Sequence, residues 1–239
     1  MRTACLPRNF VVRTLVVAAG LGLWYITQTR LAARPLPPGE KEAGIVLSRS
    51  DGLFILTKPV NSFLHQHPDW ADALLIISSA AIDGLGIYLI AVSIFGSTLR
   101  PFVGLLILFA LRQLMQTICV LPAPEGVIWR SPGVPSLLVT YQVANDYFFS
   151  GHTAIAVFGA TQLARSTYAA LALVGVGVAL FEIATVIVLR AHYTMDVFAG
   201  AAAALWAAHF VDRIASPLDR ALRRLGGRPQ TVSADGEQE

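Results

Sequence analysis

Six stretches of the chain, at about residues 10–27, 73–97, 101–121, 152–165, 168–189 and 197–211, are apolar and nearly free of charge. A hydrocarbon layer of ~30 Å crossed at ~1.5 Å per residue needs about 20 such residues. A water-soluble domain would have too little polar surface to cover this chain, in which 55% of residues are hydrophobic and only 14% charged. The expectation is therefore an all-α, polytopic membrane protein with six transmembrane helices, the fourth and sixth being the shortest, and with its reactive groups gathered at one membrane face.

No repeat and no soluble domain interrupts the spans, so residues 1–225 read as one catalytic domain and 226–239 as a polar, disordered tail. Residues 28–72 read as an extramembrane loop or lid that opens with "ARPLPPGEKE" and contains a candidate interfacial helix, "FILTKPVNSFL". A second stretch, "LPAPEGVIWRSPGVPSLLVTYQVAND", is too rich in Pro and Gly to be a regular element. The first apolar run is read as a membrane anchor, against a cleavable signal peptide suggested by Arg2, Arg8, Arg13 and "RLAARP".

Orientation follows from the basic residues of the short flanks. Arg2, Arg8, Arg13, Arg100, Arg165, Arg213, Arg220, Arg223, Arg224 and Arg228 fall on one side, against Arg30, Arg34, Lys41, Arg49, Lys58, Arg130 and Arg190 on the other. Both termini are thus expected in the cytoplasm and the site on the non-cytoplasmic face. The preference for arginine over lysine and the abundant alanine point to a bacterial inner membrane. Nucleic acid is not an expected partner, because no aromatic-interleaved basic stripe exists. Cys5 and Cys119 would lie near opposite faces, too far apart for a disulfide, and read as small apolar fillers.

Two histidine motifs carry the chemistry. "DYFFSGHTA" places His152 at the start of the fourth expected span, with Ser150 as its N-cap. "LRAHYTMDVFAG" places His192 four residues before Asp196, a spacing that puts both on one helical face. The two spans run in the same direction, so both imidazoles reach the same membrane face. Two histidines and a carboxylate suit phosphoryl transfer: one imidazole attacks phosphorus, a protonated one serves the leaving alkoxide, and the carboxylate offsets charge. No cofactor is required. A metal site lacks a third ligand, since His65 and His67 sit in a Pro-flanked loop and His209 near the other face.

"DYFFSGHT" with "HYTMDV", supported by "PLPP" at 35–38 and "LRQLMQTICVLPAPEG" at 111–126, resembles the sphingomyelin synthase and ceramide phosphotransferase branch of the type 2 phosphatidic acid phosphatase superfamily. The resemblance implies His192 as nucleophile, Asp196 orienting it and His152 as general acid and base. It implies transfer of a phosphocholine or phosphoethanolamine headgroup from a glycerophospholipid to a ceramide- or diacylglycerol-like hydroxyl through a phosphohistidine. The lipid donor, the lipid-alcohol acceptor and the bilayer are then the partners. Ser150, Asp146, Tyr147, Arg112, Arg190 and Tyr193 form the expected substrate-binding set.

The alternative within that superfamily is a phosphatase acting on phosphatidic acid or a polyprenyl (pyro)phosphate. Such enzymes carry a lysine motif before the first histidine and an arginine six residues before the second. Here the only lysines are Lys41 and Lys58, and Arg190 stands two residues before His192. A monoester dianion needs more cationic donors than a diester, so a diester substrate is preferred. A headgroup-binding or channel protein is the non-enzymatic alternative. Arg112 and Glu182, at similar expected depths, are expected to pair within the membrane, with Asp83 as the competing partner.

Overall fold

The computed structural model describes residues 9–33, 39–139, 141, 147–166 and 168–225, and these contain eight α-helices. In chain order they are α1 (Phe10–Ala32), α2 (Glu40–Ser50), α3 (Gly52–Gln66), α4 (Pro68–Phe95), α5 (Arg100–Ile118), α6 (Gly151–Leu163), α7 (Ala169–Val188) and α8 (Thr194–Leu225). "PLPP", Cys5 and the 226–239 tail lie outside the described residues.

Among the described residues five helices are long and apolar enough to cross a membrane: α1, α4, α5, α7 and α8. The fourth expected span is the exception. Its 13 residues form α6, about 20 Å long, which falls short of the ~30 Å hydrocarbon layer. Its packing accounts for its existence: His152, Thr153, Ala154, Ile155, Ala156, Phe158, Gly159, Gln162 and Leu163 are all buried. It lies chiefly against α7 and α8, with α4 and α5 completing its surround. On α5, a Cβ on Gly104 would meet the Phe158 ring at 1.9 Å, so glycine makes room for that ring.

The expected lid is mostly helical. α1 runs on to Ala32, α2 and α3 occupy 40–66, and α4 begins at Pro68, a favoured first helical residue. α3 contains the whole of "FILTKPVNSFL" and is started by Asp51, whose Oδ1 accepts from the Leu53 and Phe54 amides at 3.1 and 3.2 Å.

α8 exceeds its expected 197–211 by a whole polar section, reaching Leu225. The apolar run ends where the sequence turns charged, but a stripe at Val211, Ala215, Leu218 and Leu222 continues at helical spacing. Val211, Ala215 and Leu222 are buried on it. At this end of the bundle Arg13, 2% exposed, donates to the carbonyls of Ser93, Gly96 and Ser97 and lies 3.5 Å from Asp219. Arg100 bonds Asp212, Gln162 and the Ala208 carbonyl beside it. These contacts tie the start of α1, the α4–α5 turn, the end of α6 and the polar half of α8 together.

The Arg112–Glu182 pair does not form. Glu182 Oε2 accepts from Ser78 Oγ at 2.7 Å, joining α7 to α4. Asp83 instead holds the irregular segment, accepting from Ser136 Oγ and from the amides of Leu137 and Leu138 at 2.8–2.9 Å. Equal depth along two helices leaves their rotation undetermined, and Glu182 meets a serine of α4 instead.

Candidate active site

The site forms where α6 and α8 begin. Ser150 caps α6, its Oγ accepting from the Thr153 amide at 3.3 Å. Asp196, the third residue of α8, turns back to accept the Tyr193 amide on Oδ2 at 3.0 Å, the return half of a capping box. The two helix starts are joined directly, because the Ser150 amide donates to the Asp196 carbonyl at 3.1 Å. Gly200, one turn further along α8, backs onto the Ser150 carbonyl so closely that a Cβ there would sit 2.5 Å from it. The short turn from α7 into α8 therefore delivers His192 beside the α6 terminus that carries His152.

Both histidines line one cavity, together with Arg112 and Tyr147. His192 is 6% exposed and its Nδ1–H donates to the Tyr147 carbonyl at 3.1 Å, which fixes the tautomer and leaves Nε2 with its lone pair. Burial pushes the His192 pKa down to about 4, against the opposing effect of the Tyr147 carbonyl and with a smaller push from Arg112, so the imidazole is neutral near pH 7. His152, 8% exposed, meets the edge of Trp129 at 5.0 Å, and its Nε2 is buried without a hydrogen-bond partner. The Arg112 guanidinium lies against the first residue of α6, with Nε 3.3 Å from where a Gly151 Cβ would be.

Asp196 is fully buried, and its Oδ2 is 4.0 Å from His192 Nδ1. The hydrogen bond orienting His192 is thus the one it donates to the Tyr147 backbone carbonyl, with the Asp196 carboxylate at ion-pair range behind it. Of the expected substrate-binding residues, Arg112 and Tyr147 face the cavity with the histidines. Ser150 is buried in its cap. Tyr193 turns away, its hydroxyl donating to the Pro122 carbonyl at 3.1 Å and its ring stacking on Phe54. Arg190 also turns away, Nη1 donating to the Glu125 carbonyl at 2.5 Å. Asp146 lies outside the described residues. Among the described residues no group of His, Cys, Asp or Glu is arranged to hold a metal.

Of the aromatic wall, sequence reasoning named Tyr147 and missed the other four residues. Trp24, Phe109, Trp129, Tyr147 and Phe149 line the same cavity, drawn from α1, α5 and the irregular segment. Trp24 stacks on Phe109 at 4.8 Å and leaves its Nε1–H buried without a partner. The sequence carried no signal for this, since tryptophans at membrane helices are ordinarily read as interfacial anchors. Asp51 was also missed: beyond capping α3 it accepts from the Thr194 amide at 2.8 Å and hydroxyl at 2.5 Å, pinning the start of α8 to α3.

No curated protein and no solved structure gives a significant match to the chain. One family model does, AtPDCT1/2, over residues 50–215. That match overturns the resemblance to the sphingomyelin synthase branch: the shared histidine motifs are short, whereas the family match runs continuously from α3 through most of α8. The inferred bacterial source finds no support either, as the family is a plant one. The chain belongs to the AtPDCT1/2 family, that of the phosphatidylcholine:diacylglycerol cholinephosphotransferases.

Proposed function

We propose that this protein is a membrane enzyme that moves phosphocholine from phosphatidylcholine to the free hydroxyl of a diacylglycerol, using His192 as nucleophile. The carrying observation is the composition of one cavity: two imidazoles, an arginine and five aromatic rings. The imidazoles and Arg112 suit a phosphodiester, while electron-rich aromatic faces attract a quaternary ammonium at ~0.5–2 kcal/mol per contact. Trp24 Nε1–H supplies a further buried donor for a phosphate oxygen. A diacylglycerol acceptor follows from the family and replaces the ceramide expected from the motifs.

In the first half-reaction His192 Nε2 attacks phosphorus, the bond from phosphorus to the glycerol oxygen breaks, and His152 gives that oxygen a proton. The bound phosphodiester brings the negative charge beside which a protonated His152 can be held. Diacylglycerol leaves and phosphocholine remains on His192 Nε2. A second diacylglycerol then gives its hydroxyl proton to His152 and attacks phosphorus, and the phosphorus–nitrogen bond breaks. Asp196 and the Tyr147 carbonyl offset the positive charge of the substituted imidazole.

In this reading α6 completes a sixth crossing together with the chain before it, and its irregular backbone at Trp129, Leu138, Tyr147 and Phe149 is tolerable at membrane depth because these residues wall a cavity. The Arg13–Arg100–Arg165 end faces the cytoplasm. The test is purified protein given phosphatidylcholine labelled in the choline and a diacylglycerol of distinct chain length. Label in phosphatidylcholine of the new chain length is expected. Release of inorganic phosphate from phosphatidic acid as the main reaction, without that transfer, would defeat the proposal.

A further inference from the structure

A second cavity lies on the far side of the α7–α8 turn, between α2, α3 and the irregular segment. Ser48, Arg49, Lys58, Asn61, Glu125 and Arg190 supply its polar lining. Three cations and the Glu125 carboxylate line it, Glu125 is 3.8 Å from Arg49 Nε, and with Asp51 also acting on Arg190 from beside the lining a net positive charge remains. Asp51, the other nearby carboxylate, is already occupied by the amides of α3 and by Thr194.

Arg190 is the unusual member. It is 9% exposed, sits 5.1 Å over the Phe54 ring, and its Nε–H is buried without an acceptor. Its backbone adopts φ +53°, a left-handed conformation that costs a non-glycine residue ~1 kcal/mol or more and that recurs at ligand clamps. Strain and desolvation are thus both borne to hold a guanidinium at this cavity with one donor unpaired. Beside the cavity α3 leaves Leu53, Ile55, Leu56, Val60 and Phe63 exposed, an apolar side for acyl chains.

We propose that this cavity binds the phosphate of an anionic phospholipid whose chains lie along α3. It goes beyond the proposed transfer reaction and does not depend on it. Neither histidine lines this cavity, and its one ring, Phe54, is already covered by Arg190, so it suits a lipid without a quaternary ammonium.

The test uses the purified full chain in neutral detergent micelles and fluorescent phosphatidylglycerol, with phosphatidylcholine and inorganic phosphate as competitors. Saturable binding of phosphatidylglycerol is expected. In Arg49→Gln/Lys58→Gln it weakens by roughly tenfold, the equivalent of ~1.4 kcal/mol. Both side chains are exposed, so the fold survives their replacement; should the double variant lose its thermal transition, Lys58→Gln alone carries the comparison with a smaller weakening. Competition by phosphatidylcholine at equal concentration, displacement by millimolar inorganic phosphate, or undiminished binding in the variant would each overturn the assignment.

Discussion

Replacing Gly200 by alanine places a methyl carbon 2.5 Å from the Ser150 carbonyl oxygen and 3.5 Å from the Ala154 amide nitrogen. The first obstacle is backbone, so no side-chain rotation relieves it, and α8 must move away from α6 by about 1 Å to restore van der Waals contact. Overpacking of this size costs ~1–3 kcal/mol, while alanine in place of glycine within a helix returns up to ~1 kcal/mol. Stability is therefore expected to fall by ~0–3 kcal/mol. Turnover responds differently, because the displaced helix start opens the Ser150–Asp196 backbone bond and shifts His192 relative to His152. A 1 Å misplacement of reacting groups is worth ~10²-fold in rate. Gly177→Ala, in open space on α7, is the control and is expected to retain full activity. The assay is phosphocholine transfer between two diacylglycerols of different chain length, beside thermal unfolding in the same micelles. Activity of Gly200→Ala within threefold of the parent, with the fold intact, would refute the idea that this backbone contact sets the histidine spacing.

His192→Ala and His152→Ala are each expected to abolish most transfer while the protein still unfolds cooperatively, and the double variant to lose little more than the worse single one; normal activity in His192→Ala would exclude it as nucleophile. Trp129→Leu should raise KM for phosphatidylcholine about tenfold and leave phosphatidylethanolamine less affected, which a headgroup competition assay reads directly. With His192 held near 4 when folded and near 6.5 when unfolded, its contribution to stability is complete above pH 6.5 and is lost as pH falls toward 4, so between pH 7.5 and pH 5 the parent should lose roughly 2 kcal/mol more stability than His192→Asn does. Asp51→Ala removes the shared anchor of α3 and α8 and should cost ~1–3 kcal/mol together with at least tenfold in turnover.

Hydropathy located α5 and α7 to within three residues and α1 and α4 to within five, because a lipid-facing helix must be apolar through its core while its ends can be polar. It failed at α6 and α8, where protein rather than lipid supplies the surroundings. α6 can stop at 13 residues when helices enclose it, and α8 can continue through Asp212 and Asp219 when arginines meet them. The nearness of His152 and His192 was legible because each lies within two residues of a helix start, His152 just inside α6 and His192 just before α8, and the two helices run the same way. The hydrogen bond to His192 was not, since a backbone carbonyl accepts alike from every residue type, and Tyr147 offers no distinguishing letter. The aromatic wall joins Trp24 to Trp129 across more than a hundred residues and exists only once the irregular segment has folded back.

Arg13 has a consequence for biogenesis. Helices enter a membrane in chain order, so this guanidinium arrives at the bilayer with the first span while the carbonyls of Ser93, Gly96 and Ser97 follow with the α4–α5 turn. Its carboxylate partner, Asp219, emerges more than two hundred residues later. Until then the nascent chain carries an incompletely paired cation at the edge of its first helix. A chain terminated just before Asp219 keeps all five long apolar helix cores and the complete site, yet it should be degraded in cells faster than the full chain; equal half-lives would show that the last turns of α8 play no part in completing assembly.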